Sequence, residues 1–245
     1  MELPTVVVPV LTPFDGRGNV YLPGLRRQID YLIEDCRAPT VAAAVETQEY
    51  HYLSFDARVK LIRRAAEFIG GRCPLVVGVS HPAIERAVEL AHIAEEVGTK
   101  AVQALISWRP FGGQPKVDEV TAYFEVIARS TPLPVFAYHN PGPGATLPAD
   151  WMVELARIPK VKYFKESSRD LKRIMRLIVE IEDAGLAHFL TTMEVLLVTM
   201  QLGGSGATVP PSAARLAVGV VEAYQQGDLQ EVVKRQKRFA LFPSK

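Results

Sequence analysis

The chain reads as an α/β protein and, more narrowly, as a (β/α)8 barrel. Three observations predict this. Short runs of β-branched and apolar residues alternate with longer segments of helical period; eight such pairs fit into the 245 residues; and they recur about every thirty residues, the spacing of parallel βαβ units. Eight units most naturally close into a ring. An open doubly wound sheet shares the alternation, so closure is an expectation that only coordinates decide.

The first strand is Thr5–Val10, ended by the turn chemistry of Thr12-Pro13-Phe14-Asp15-Gly16. Leu25, Ile29, Leu32 and Ile33 recur at helical spacing between Pro23 and Glu34. Thr40–Val45 is a buried second strand, stopped by Glu46-Thr47-Gln48-Glu49, and Ser54 is the N-cap of a helix running to Phe68. In that helix Val59, Ile62, Ala65 and Ala66 form the inner face, with Arg58, Lys60 and Arg63 mostly outside. Pro74–Val79 and Ala83–Val97 make the third unit, Ala101–Ile106 and Val117–Arg129 the fourth, Pro134–Tyr138 and Ala149–Arg157 the fifth. Val161–Lys165 begins the sixth, with its helix over Leu171–Ala184; His188–Leu190 with Glu194–Leu202, and Ala207–Val209 with Ala213–Gln225, complete the set. One further helix, Leu229–Leu241, follows. The domain division is therefore a barrel over 1–226 and a C-terminal helical segment over 227–245, whose Phe239-Ala240-Leu241-Phe242 is an expected dimer contact or solubility liability.

Composition narrows the function classes. Forty-eight per cent of residues are hydrophobic and the net charge is +1, which suggests neither disorder nor a polyanionic partner, so nucleic acid is not expected. No run of about eighteen apolar residues and no signal-peptide pattern occurs, so a cytoplasmic location and no membrane partner are expected. Two cysteines, Cys36 and Cys73, make no disulfide framework, and no two of the five histidines stand at i,i+4, so no metal site is expected. No G-x-G-x-x-G follows the first strand and no P-loop motif occurs; Gly203-Gly204-Ser205-Gly206 precedes a strand and reads as a tight turn.

In a barrel the chemistry gathers at the C-terminal strand ends. Those ends carry Thr12, Glu46, Thr47, Ser80, Trp108, Arg109, Tyr138, Lys165, Thr191, Thr192 and Thr208. Lys165 stands out, because a charge at the tip of the apolar run Val161-Lys162-Tyr163-Phe164 must be used or paired. Desolvation favours the free amine, which attacks a carbonyl to form a Schiff base. Tyr138, on the neighbouring strand, is placed to relay protons. Thr12, Thr208 and Arg109 are candidates to bind the substrate.

Four stretches carry a resemblance: Pro9-Val10-Leu11-Thr12-Pro13-Phe14, then Glu46-Thr47-Gln48-Glu49 with Leu53-Ser54, then Tyr138-His139-Asn140-Pro141, then Phe164-Lys165-Glu166-Ser167. With Leu202-Gly203-Gly204-Ser205-Gly206 they resemble the dihydrodipicolinate synthase and N-acetylneuraminate lyase family of Schiff-base barrels over nearly the whole barrel. The resemblance implies a lyase or aldolase in which Lys165 forms an imine with the keto carbon of pyruvate or another 2-oxo acid, Tyr138 relays protons and Thr47 holds the substrate carboxylate. It also implies a homo-oligomer, dimer or tetramer. No metal or organic cofactor is called for, because the imine is itself the electron sink.

This chain departs from the family pattern in its proton relay and its anchor. Glu46 stands where the family's G-T-T-G-E has its first threonine; Pro110-Phe111-Gly112 replaces the P-Y-Y loop; Pro143 replaces the synthases' carboxylate-clamping arginine. These changes argue against dihydrodipicolinate synthase activity proper, which stays as an alternative beside a catalytically silent, ligand-binding barrel. For Glu46 three readings are open: a general acid or base with a raised pKa, a group that binds a cationic or polyol part of another substrate, or a carboxylate turned toward Arg109. The chain also has one helix beyond the barrel where the family has about three.

Overall fold

The computed structural model describes residues 5–106, 113–142 and 146–242. Eight parallel strands form one closed barrel in sequence order, which decides against the open sheet. They are β1 (Val6–Pro9), β2 (Thr40–Ala43), β3 (Leu75–Gly78), β4 (Ala101–Leu105), β5 (Val135–His139), β6 (Val161–Glu166), β7 (His188–Thr191) and β8 (Gly206–Thr208). Each strand except β6 and β7 is buried along its whole length, as a sheet covered outside by helices and filled inside by side chains must be. Inward-facing Val7, Ala42, Val76, Phe136, Tyr163 and Leu190 fill the barrel axis as a cluster of their own. The larger core lies between strands and helices, where Phe124, Phe164 and Phe189 are fully buried, each contributing about 2–3 kcal/mol.

The seam between β8 and β1 depends on one glycine. Gly206 has φ +147°, and a Cβ there would lie 1.9 Å from the Thr5 carbonyl oxygen. Only a residue without a side chain lets the two strands meet there. At the catalytic end, Gly78 does the same for β2 and β3: a Cβ would stand 2.3 Å from the Ala44 carbonyl oxygen.

Helices α1 (Leu22–Asp30), α2 (Phe55–Ile69), α3 (Ile84–Glu96), α4 (Val117–Ser130), α5 (Ala149–Ala156), α6 (Leu171–Leu177), α7 (Leu196–Gln201) and α8 (Ala214–Gln225) alternate with the strands, and α9 (Leu229–Lys237) follows. The Ser54 hydroxyl accepts the Ala57 N–H at 3.2 Å, the expected cap of α2. Three expected helices are divided. α1 and α6 pass into wider π-helical turns at Tyr31–Asp35 and Ile178–Glu182, and the helix expected from Glu194 begins as a tight turn, Met193–Val195, ahead of α7.

Two expectations about burial are corrected. Arg58 is turned inward and is 2% exposed, because the carbonyls at the ends of β2 and β3 need donors. Phe239 is buried and its ring contacts that of Phe242, so of the supposed apolar tail Ala240 and Leu241 are the exposed members. α9 packs on α8 through buried Val232, and the Gln236 side chain reaches back to the start of α7. It donates to the carbonyls of Met193 and Glu194 at 2.9 and 3.0 Å and accepts the Leu197 N–H at 3.3 Å.

Candidate active site

β5 and β6 pair with Tyr138 opposite Lys165, and β7 sets Leu190 on the other side of the lysine. Register alone thus brings the phenol and the amine together at the barrel mouth. Lys165 Nζ lies over the face of the Tyr138 ring, 4.1 Å from its centroid. The Tyr138 hydroxyl accepts the Asn140 side-chain N–H at 2.6 Å, and Asn140 Oδ1 in turn accepts the Gly142 N–H, which fixes the orientation of the amide. With its acceptor side engaged, the phenol is left to donate its own proton.

Behind Lys165 the strand tip is anchored by a buried ionic network. The Glu166 carboxylate accepts from His139 Nδ1 at 2.8 Å, from the Ser168 N–H at 2.8 Å and from Arg173 Nε at 2.9 Å. His139 Nε2 accepts the Leu147 N–H, so Nδ1 carries the proton and the imidazole is neutral. Burial alone would raise the Glu166 carboxyl, but His139 and Arg173 outweigh it and hold the group below the ordinary carboxylate range. Arg173 also donates to the Leu147 carbonyl at 2.6 Å, tying the β5–α5 loop to the foot of α6. The lysine therefore projects from a strand end that cannot shift without breaking a buried ion pair.

Glu46 occupies the opposite wall. Ala44 (φ +57°) and Glu49 (φ +55°) take left-handed conformations around a tight turn over Glu46–Gln48. The fully buried Gln48 locks that turn, accepting the Ala44 N–H and donating to the Leu11 carbonyl. Ser80 Oγ and Gln103 Nε2 donate to the two Glu46 oxygens at 3.2 and 3.3 Å. Glu46 keeps a little surface toward the barrel mouth but is ringed by protein, and the resulting desolvation raises its carboxyl above the ordinary range, against the pull of Lys165, Ser80 and Arg58. Arg58, pushed down to about 10 by burial, remains charged; it donates to the carbonyls of Gly78, Ser80 and Ala44 and lies 4.0 Å from the Tyr50 ring centroid. Burial, and then Glu46, push the Tyr50 phenol up to about 12.

A cavity of about 270 Å³ is lined by Lys165 together with Tyr138, Asn140, Thr47, Thr208, Ser167, Arg169, Thr192 and Glu194. The hydroxyls of Ser167 and Thr208 are buried without a protein partner. Arg169 Nη2 donates to Glu194 Oε1 at 2.9 Å. Burial would raise Glu194, but Arg169 and Thr192 outweigh it and keep its carboxyl below the usual range.

Of the residues singled out from the sequence, the cavity gathers Lys165, Tyr138, Thr47, Thr192 and Thr208. Glu46 stands close enough to Lys165 to feel its charge. Thr12 does not line the cavity: its hydroxyl donates to the Gln48 carbonyl at 2.6 Å and supports the Glu46 turn. Thr191 is committed to Thr199. Trp108, Arg109, Phe111 and Pro143 lie outside the described residues, and with them the reading that turns Glu46 toward Arg109. Asn140, Ser167, Arg169 and Glu194 were missed; each sits in the polar stretch just after a strand, a signal available for all four. Among the described residues no cluster of histidine, cysteine and carboxylate fit for a metal occurs, and no helix is long and apolar enough to cross a membrane.

A closed parallel barrel with a lysine on β6 beside a tyrosine on β5 defines a class, the Schiff-base class I lyases and aldolases. The chain belongs to the Dihydrodipicolinate synthetase family, whose sequence model matches residues 2–243. It is 30% identical over 237 residues to a 4-hydroxy-tetrahydrodipicolinate synthase of Bacillus velezensis, covering 96% of this chain and 76% of that one. Two solved structures share the fold. CdNal of Clostridium difficile in complex with mannosamine superposes with a TM-score of 0.90 at 21% identity, over 98% of this chain and 82% of that one. A prophage protein of the dihydrodipicolinic acid synthase family from Escherichia coli K12, in complex with pyruvate, gives 0.88 at 22% identity, over 96% and 79%.

Proposed function

We propose that the protein is a lyase or aldolase that works on pyruvate or a larger 2-oxo acid through an imine on Lys165. The observation that carries this is the pairing of Lys165 with Tyr138 across β5 and β6 at the floor of the 270 Å³ cavity. The free amine of Lys165 adds to the keto carbon while the carbonyl π pair moves to oxygen. Tyr138 protonates that oxygen, and loss of water leaves the iminium. In a substrate hydroxylated at the carbon beyond the next one, a base takes that hydroxyl's proton and the C–C bond breaks as its pair moves to the iminium. An aldehyde leaves, and the resulting enamine is reprotonated on carbon before hydrolysis frees the lysine. Thr47 and Thr208 are the groups we assign to the substrate carboxylate, both lining the cavity.

Glu46 is the residue we assign to proton transfer in place of the missing threonine. Its raised carboxyl, oriented by Ser80 and Gln103 within reach of the Lys165 charge, supports a general acid–base role. The same substitution favours a lyase acting on another 2-oxo acid over the synthase activity named for the relatives. A cytoplasmic homo-oligomer is the working form we adopt, the exposed apolar stripe of Leu171, Met175 and Val179 along one face of the α6 segment being the surface that supports association.

The test is borohydride reduction in the presence of pyruvate. A stable adduct should appear on Lys165 and be absent from Lys165→Ala. A wild-type protein left unmodified by every 2-oxo acid, yet stabilised against heat by one of them, would instead be a ligand-binding barrel.

A further inference from the structure

We propose that Arg169 reads the end of the substrate remote from the reacting carbon, and that the 2-oxo acid accepted here carries a second carboxylate at that end; this rests on the imine reading above. The residue has three features that belong together. It lines the same cavity as Lys165. It holds a left-handed backbone, φ +59°, one of four non-glycine residues to do so among those described. Glycine would adopt that conformation at no steric cost, so a bulky cation there needs a use for its side chain.

The third feature is how the guanidinium is held. Glu194, which also lines the cavity, takes Nη2 at 2.9 Å. Glu194 is itself held at its backbone, where Gln236 donates to its carbonyl. A guanidinium offers five N–H donors in a planar fork, so one bond to Glu194 orients it and leaves an edge that suits a carboxylate. The side chain is 53% exposed, open enough to receive an incoming anion.

Lys165, Arg169 and Glu194 are the charged residues that line the cavity. As an iminium, Lys165 balances the carboxylate next to the keto group, and a second carboxylate would share the Arg169 fork with Glu194. Volume agrees: about 270 Å³ is roughly nine times the share of one liquid water, more than pyruvate alone fills.

The experiment compares two acids of equal chain length, 2-oxoglutarate and 2-oxopentanoate, which differ in the far carboxylate alone. Each is titrated into the full chain with borohydride, and half-saturation of the Lys165 adduct is read by mass. Wild type should half-saturate with 2-oxoglutarate at a concentration about tenfold lower than with 2-oxopentanoate, the difference of one charge-assisted hydrogen-bonded contact. Arg169→Gly, which suits the backbone and so keeps the loop, should bring the ratio close to one. Arg169→Lys should retain part of it. Equal half-saturation in wild type, a preference for 2-oxopentanoate, or an unchanged ratio in Arg169→Gly would overturn the role of Arg169 while leaving the imine intact. Failure of both acids and of pyruvate to modify wild-type Lys165 would remove the imine reading and this proposal with it.

Discussion

Replacing Glu166 by glutamine tests whether the buried network behind Lys165 holds the site together. The carboxylate uses one oxygen to accept from His139 and Ser168 and the other to accept from Arg173. A glutamine keeps one acceptor oxygen, so its amide nitrogen must face the Arg173 N–H, donor against donor. The Arg173 side chain, 14% exposed, then keeps its charge with its carboxylate partner gone. Breaking a buried pair in this way costs about 3–5 kcal/mol, and the Leu147 carbonyl that Arg173 retains favours the lower end. About 3 kcal/mol corresponds to a fall in Tm of about 6–12 °C for a chain of this size. The folded-state carboxyl lies below its unfolded value of 4.5, so its stabilisation is complete above that value and is lost as pH falls through the folded value. The gap between wild type and Glu166→Gln, measured by urea and thermal unfolding, should therefore be full at pH 7 and close in acid. A loss below about 1 kcal/mol at pH 7, or a gap that stays constant into acid, would refute the reasoning.

Glu46→Gln should show the opposite pH dependence. The folded carboxyl is raised above 4.5, so ionising it costs stability that is unaffected below that value and declines as pH rises through the folded value; the variant should gain Tm over wild type toward neutral pH, and equal melting curves at all pH would refute the raised carboxyl. Tyr138→Phe keeps the ring under Lys165 and removes the hydroxyl, so single-turnover trapping of pyruvate should slow by about 10²–10⁴-fold with Tm little changed. Gly206→Ala sets a methyl against the Thr5 carbonyl at the β8–β1 seam and should cost at least about 3 kcal/mol, read by denaturant unfolding.

The strands were legible because a parallel barrel buries them on both faces, which turns each into a short unbroken apolar run. Helix interiors were legible for a similar reason, whereas their divisions were not. The π-helical turns at Tyr31–Asp35 and Ile178–Glu182 change which carbonyl each N–H reaches while leaving the apolar spacing almost as it was. Arg58 shows a different failure. It stands three and seven residues before Leu61 and Ala65, on the inner face of α2 by spacing, and its charge hid what its position declared. Lys165 and Tyr138 were readable from their places at strand ends, and adjacency of β5 and β6 did the rest. Arg169 was passed over although its place just after β6 marked it, because a left-handed arginine looks like any other loop cation until its backbone angle is known.

The grip of Gln236 on the Met193–Glu194 turn gives the order of synthesis a chemical meaning. Lys165 and Tyr138 stand on β6 and β5 and precede α9 in the chain, so the turn beside the cavity is secured only once α9 has been made.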